Sequence, residues 1–318
     1  MTRILFTCIA LLTAVSASAQ TPYPTRAITL VVPFGAGSGT DVMARTLADE
    51  LSKKLGQSVI IDNRPGGSSI PAAEYVARAA PDGYTLFMGG NTTHSANPHL
   101  FKELRYDPLK DFTPISRLAT AGAVLVVSPK SDFKSVADVV KAAKADPGKL
   151  SYGVSNSGSQ IAAERIKRVS GVDIIRVPYK TTPQALTDVI SGHLSMTFVD
   201  VAAALSAVQG GQVRALAISS AARSKLMPDV QTMQELGYPG FDLTFWNGLF
   251  GPAKMPVDIA AVLSKAAAEI MATDQMTQRL SVLGLDATPL PAAQMDAYIR
   301  TELDKWGAYV RESGIEPN

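Results

Sequence analysis

Apolar and polar positions change period repeatedly along the chain. Residues 28–32 (ITLVV) form a short β-branched run with the character of a buried strand. Pro33 ends it. The loop Phe34-Gly35-Ala36-Gly37-Ser38-Gly39-Thr40 follows, and Asp41 opens the helically periodic run DVMARTLADELSKKLG. The same order of strand, small polar loop and helix returns at residues 150–154 (LSYGV), Ser155-Asn156-Ser157-Gly158-Ser159, and a helix expected from Gln160.

Between and after these units the alternation continues. A strand over 59–62 leads into the turn 63–67 (NRPGG), and Ser68 or Ser69 is placed to cap a helix over 72–80. A strand over 84–89 runs into a polar loop with Asn91, Thr92, Thr93 and His94. Residues 115–127 read as extended, and the chain is expected to cross there from one domain to another. A helix over 134–145 follows. Beyond the second unit come a strand over 173–179 ending at Lys180-Thr181-Thr182-Pro183, a helix over 184–191, and a strand over 196–198 that runs out at Asp200. A further helix and a strand over 213–219 precede residues 242–250 (DLTFWNGLF), which read as the return crossing. The remainder, from 257 to 313, is expected to be helical. Strands alternating with helices predict an α/β fold of mainly parallel sheets, with ligands at the carboxyl ends of the strands.

This places the chemistry in the loops. Three glycines in five residues let the backbone of 35–39 approach another molecule closely. Unpaired N–H groups at a helix start, with the helix dipole behind them, suit a carboxylate or phosphate. The loop lacks the Lys-Ser/Thr end of a P-loop, and Thr40 stands where G-x-G-x-x-G needs its last glycine, so a nucleotide is not indicated. The alternative is a tight turn with no ligand. Asp41 either complements the helix dipole or faces a ligand amine. Neither 34–41 nor 155–160 contains Lys or Arg, so an acid held between them would be held by neutral donors. Asn91 and Thr92 are candidates for a third wall; His94 is open between cleft and structure, and His99 and His193 are read as surface residues. Asp200 is either a helix cap or a polar contact, and Phe245 with Trp246 is either a core pair or a stacking wall for a planar acid.

Composition narrows the rest. Of 318 residues, 46% are hydrophobic and 18% charged, with net charge +2 and no basic run, so nucleic acid is not an expected partner. Arg3, an apolar stretch to Val15 and Ala17-Ser18-Ala19 have the form of a secretory signal, with cleavage expected between Ala19 and Gln20. Removal of residues 1–19 takes away Cys8, the sole cysteine, which leaves no disulfide and no thiol nucleophile. The mature chain is expected to be an exported periplasmic protein that does not insert in the membrane. No G-x-S-x-G, H-E-x-x-H or metal-ligand spacing occurs, so neither an enzyme, a metal site nor a cofactor is expected.

The ordered set PFGAGSGTDVMAR, DNRPGGS, PDGYTL, DFTPI, RVPYK, ALTDVISGHLSMTF, VRALAIS and FWNGLFGPAKMP resembles the Bug family of periplasmic solute-binding proteins, the receptors of tripartite tricarboxylate transporters. The resemblance implies a two-lobed type II periplasmic-binding-protein fold, each lobe a mainly parallel sheet flanked by helices, joined by two crossover strands. The lobes would be 20–122 plus 244–318 and 123–243, closing as a monomer on a small organic acid destined for membrane permease subunits. A role in presenting ligand to a membrane sensor is the alternative. Carried onto this chain, the carboxylate grip is Phe34 to Asp41 with Ser155 to Gln160. Ser38 stands where the family commonly has glycine. Thr181 replaces a common glycine, and Phe198-Val199-Asp200 a common F-D-N, both where the distal part of a ligand would be sensed.

Overall fold

The computed structural model describes residues 23–317; the expected signal segment lies outside them. Two sheets organise the chain. The first contains β1 (Ile28–Val32), β2 (Val59–Asn63), β3 (Thr85–Gly90), β4 (Phe112–Ala121), β10 (Phe245–Pro252) and β11 (Asp286–Pro291). The second contains β5 (Ala123–Val127), β6 (Ser151–Val154), β7 (Ile175–Pro178), β8 (Met196–Asp200) and β9 (Arg214–Ile218). Their orders are β11-β4-β10-β3-β1-β2 and β7-β6-β8-β5-β9.

The two orders share one design. In each, three consecutive strands are parallel: β1 with β2 and β3, and β6 with β7 and β8. In each, the strand arriving from the other sheet inserts antiparallel, β10 between β3 and β4 and β5 between β8 and β9. The chain passes from β4 to β5 through Gly122 alone and returns between Ile218 and Phe245, where both crossings were expected. The fold is thus α/β with two mixed sheets flanked by helices.

The helices are α1 (Gly39–Leu55), α2 (Ile70–Ala77), α3 (Asn97–Leu100), α4 (Val136–Ala145), α5 (Ser157–Ser170), α6 (Thr182–Ser191), α7 (Val201–Gln209), α8 (Val257–Met271), α9 (Asp274–Val282) and α10 (Ala292–Ser313). Apolar faces of α1 and α8 cover one side of the first sheet, where Met43, Leu47, Leu51, Leu263 and Ile270 meet Ile28, Leu30 and Leu86. The C-terminal helix spans two cores. Met295 and Ile299 pack with Phe87, Trp246 and Phe250, whereas Trp306, Tyr309 and Val310 pack with Ile161, Ile166 and Phe241 on the second-sheet side. Arg168 of α5 donates to the carbonyls of Arg311 (3.1 Å) and Glu312 (2.6 Å), which caps the carboxyl end of α10.

Four expectations change. The segment after β3 coils into a wide helical turn, Thr92–Ala96, that continues into α3, rather than forming an open loop. The C-terminal part holds a strand, β11, despite Pro289 and Pro291; it is an edge strand bonded only to β4, where missing donors cost little. Neither Ser68 nor Ser69 caps α2 through its side chain; the Ser69 hydroxyl instead reaches the Pro33 carbonyl at 3.4 Å. His99 is not a free surface residue, because its Nε2 lies 2.9 Å from the Leu303 carbonyl oxygen of α10.

Candidate ligand-binding cleft

The glycine loop after β1 is held by one carboxylate. Asp41, 1% exposed, accepts from the Gly37 N–H (2.8 Å), from Arg45 Nε (3.0 Å) and from Asn63 Nδ2 (2.8 Å). Asn63 also donates to the Phe34 carbonyl at 3.0 Å. Burial raises the Asp41 pKa, but the hydrogen bonds from Arg45, Gly37 and Asn63 outweigh it and hold the carboxyl below the usual range. Asp41 is therefore the internal clamp of the loop, and it does not face a ligand amine: its oxygens are spent within the protein. Ser38 caps α1 by accepting from the Asp41 N–H at 3.2 Å, and its own N–H donates to the Gly35 carbonyl. Gly37 has φ +82°, which a side chain would oppose, and added Cβ atoms at Gly35, Gly37 and Gly39 would meet open space. Ala36 and Gly39 are exposed, and Phe34 and Thr40 half-buried. The first-turn N–H groups of Gly39 and Thr40 have no partner inside the helix.

The second loop is clamped by its own polar side chains. Asn156 caps α5, accepting from the Ser159 N–H at 2.9 Å. The Ser159 hydroxyl accepts from the N–H groups of Ser155 (3.2 Å) and Asn156 (3.3 Å). Ser155 Oγ lies 2.8 Å from Thr182 Oγ1. Several main-chain donors expected to hold an acid are thus engaged internally, and α5 begins at Ser157 rather than Gln160. Gly158 is buried under the ring of Phe245, with which an added Cβ would collide (2.6 Å to Cζ). Phe245 is consequently tied to the α5 start, with its ring 6.1 Å from that of Trp306.

A cavity of about 620 Å³ opens beside this helix start. Ser155, Asn156 and Gln160 of the α5 start line it together with Ser68, Leu100, Phe101 and the tail Ser313–Glu316. Val154, Glu164, Arg176 and Tyr179 complete the wall. Ser68 comes from a turn in which Gly66, Gly67, Ser68 and Ser69 all have positive φ (108°, 50°, 53° and 68°). Left-handed serines are costly and recur at functional positions. Asn97 holds this turn by donating to the Ser68 carbonyl at 2.8 Å. The cavity therefore joins a turn of the first sheet to the helix start of the second. The loop 34–41 is not part of its lining.

The remaining candidates divide. Trp246 is 1% exposed, packed at ring distances of 5.3 Å from Tyr298 and 6.1 Å from His94. It is a core residue and not a stacking wall, because the strand face that carries it points away from solvent. His94 is fully buried and stacks on Phe250 at 4.0 Å. Burial pushes its pKa down to about 3, so the ring is neutral. Asn91 is half-buried and its Oδ1 accepts from the Trp246 N–H at 3.4 Å; Thr92 is half-buried at the start of the helical turn. Thr181 is exposed at the start of α6. Asp200 touches solvent, yet desolvation raises its carboxyl pKa. Sequence reasoning missed Ser68, Arg176, Tyr179 and the tail as lining residues. Only the RPGG turn before Ser68 carried a local signal; the others meet the cavity through the fold.

Residues 43–315 match the family described as tripartite tricarboxylate transporter family receptor, TctC. The chain belongs to this receptor family. Among its relatives, the receptor is 34% identical to Protein BugT of Bordetella pertussis over 308 residues, 95% of this chain and 94% of that one. Its fold superposes on R. palustris Rpa4515, solved with adipate, with a TM-score of 0.86 and 34% identity over 93% of this chain and all of the other. MatC from Rhodopseudomonas palustris, solved with malate, gives a TM-score of 0.80 and 31% identity over 91% of the receptor and all of MatC. Among the described residues of the receptor there is no group of three metal-ligating side chains and no helix long and apolar enough to cross a membrane.

Proposed function

We propose that this receptor captures a small organic carboxylate in the periplasm and hands it to the permease subunits of a tripartite tricarboxylate transporter. The observation that carries the reading is the cavity shared by the strained turn of the first sheet and the α5 start of the second, within a family whose solved members hold adipate and malate. Its volume suits a small molecule. Residues 20–122 with 244–318 act as one lobe and 123–243 as the other, with α10 spanning both. An acid that touches both lobes stabilises the closed arrangement, since only that arrangement supplies both sets of contacts. No bond chemistry is involved.

A thermal-shift screen of the mature chain tests this. At least one mono-, di- or tricarboxylate, present at a hundred times its Kd, raises stability by about 2.7 kcal/mol. A rise with an uncharged sugar and none with any acid contradicts the proposal.

A further inference from the structure

The C-terminal helix α10 is tied to different parts of the molecule along its length. Its first part is tied to the first sheet. Met295 and Ile299 pack with Phe87, Trp246 and Phe250, and the Arg117 guanidinium of β4 lies 4.6 Å over the Tyr298 ring. Its last part is tied to the return segment and to α5. Lys305 reaches Asp242 at 3.4 Å, and the Tyr309 hydroxyl donates to the Asp242 carbonyl at 2.9 Å. Arg165 of α5 lies 4.3 Å over the Tyr309 ring, and Arg168 holds the last carbonyls.

Two features mark the boundary between these parts. Gly307, which is buried, is the only glycine beyond the first turn of any α-helix among the described residues. Glycine is unfavourable in a helix interior, and packing requires it here: an added Cβ would lie 2.7 Å from Cε1 of His99, whose ring comes from α3. The second feature is the Leu303 carbonyl. In an α-helix it accepts from the Gly307 N–H, and His99 Nε2 donates to it as well, at 2.9 Å. A carbonyl shared with an inserted side chain, beside a glycine, is where a helix bends most readily.

We infer that α10 is jointed at 303–307, with His99 as the pin, and that the joint bends when the lobes move relative to each other. A stiff helix fastened to both lobes would have to release one set of ties for them to move. A joint between the two sets lets both persist. The inference rests on the closing of two lobes proposed above and adds to it the place in α10 where the motion is taken up.

Hydrogen exchange and spin-label distances test this. In the native protein the amides of 304–307 are expected to exchange faster than those of 296–302 and 309–312; uniform protection along α10 overturns the joint without any substitution. The second comparison is His99→Ala against His99→Ala/Gly307→Ala. Removing the ring first clears the space for the added methyl, so the pair differs in the backbone freedom of residue 307. Exchange at 304–307 is expected to slow about fivefold in the double variant, the helix preference of alanine over glycine. Residues 20–318 hold no cysteine, so labels at Lys141→Cys on α4 and Gln275→Cys on α9, both exposed, report the distance between lobes. The distribution of that distance is expected to be broad in the native protein and in His99→Ala, and to narrow in the double variant. Slowed exchange with an unchanged distribution makes Gly307 a local packing residue; it overturns the inference and leaves closing on an acid standing. A single narrow distance in the native protein, alone and with adipate or malate, overturns the closing and the joint together.

Discussion

Asp41 and His94 show what a single residue's surroundings decide. Both follow a strand of the first sheet, and both were open to a ligand role from sequence. Asp41 turns inward because Gly37, Arg45 and Asn63 give its carboxylate three donors that water cannot better in so buried a place. His94 turns inward because residues 92–96 coil rather than extend, and because Gly89 has no side chain: a Cβ there would lie 2.6 Å from the His94 ring. Period and polarity do not distinguish these outcomes, since an exposed loop and a buried helical turn can carry the same polar letters. The neutral histidine has a pH signature. Its folded pKa, about 3, lies below the unfolded value of about 6.5. Its stabilising contribution is complete above the unfolded value and is lost as pH falls towards the folded one. Urea unfolding is expected to weaken by up to about 1.4 kcal/mol per pH unit through that window from this residue. His94→Phe, which can retain the stack on Phe250, is expected to flatten the slope; an unchanged slope contradicts the assignment.

At the scale of elements, strands and helices with a clear period were legible, and so were both crossings. The strand β11 was not, because two prolines mask its alternation and only its position at the sheet edge makes them tolerable. The α5 start was legible as a helix entry, but not as one whose donors Asn156 and Ser159 already fill. That entry packs against the return crossing, where Phe245 lies over Gly158. Gly158→Ala is expected to cost about 1–3 kcal/mol of stability through overpacking. Phe245→Ala costs stability by itself, yet in its background Gly158→Ala is expected to be nearly neutral, because the collision is gone. A double-mutant cycle by chemical denaturation measures this; additive losses refute the contact.

Across the whole molecule the two sheets meet on two flanks. On one, α10 carries residues of both cores, and Lys305 reaches from it to Asp242 in the return segment at 3.4 Å. On the other, Gly284, between α9 and the β11 strand of the first sheet, sits so close to α7 that an added Cβ would lie 2.6 Å from the Ala202 nitrogen. The strained turn at Gly66–Ser69 and the α5 start, one from each sheet's side, meet at the cavity through Ser68 and Ser155–Gln160. The family pattern was legible from short motifs spread along the chain, whereas the cavity was not, because its walls come from segments distant in sequence. Electron density from a crystal of the mature protein grown with the acid selected by the thermal-shift screen tests the central claim most directly. One acid molecule is expected in the cavity, beside Ser155, Asn156 and Gln160 and in reach of Ser68. Density for the acid at any other place, with this cavity holding only water, would contradict the account.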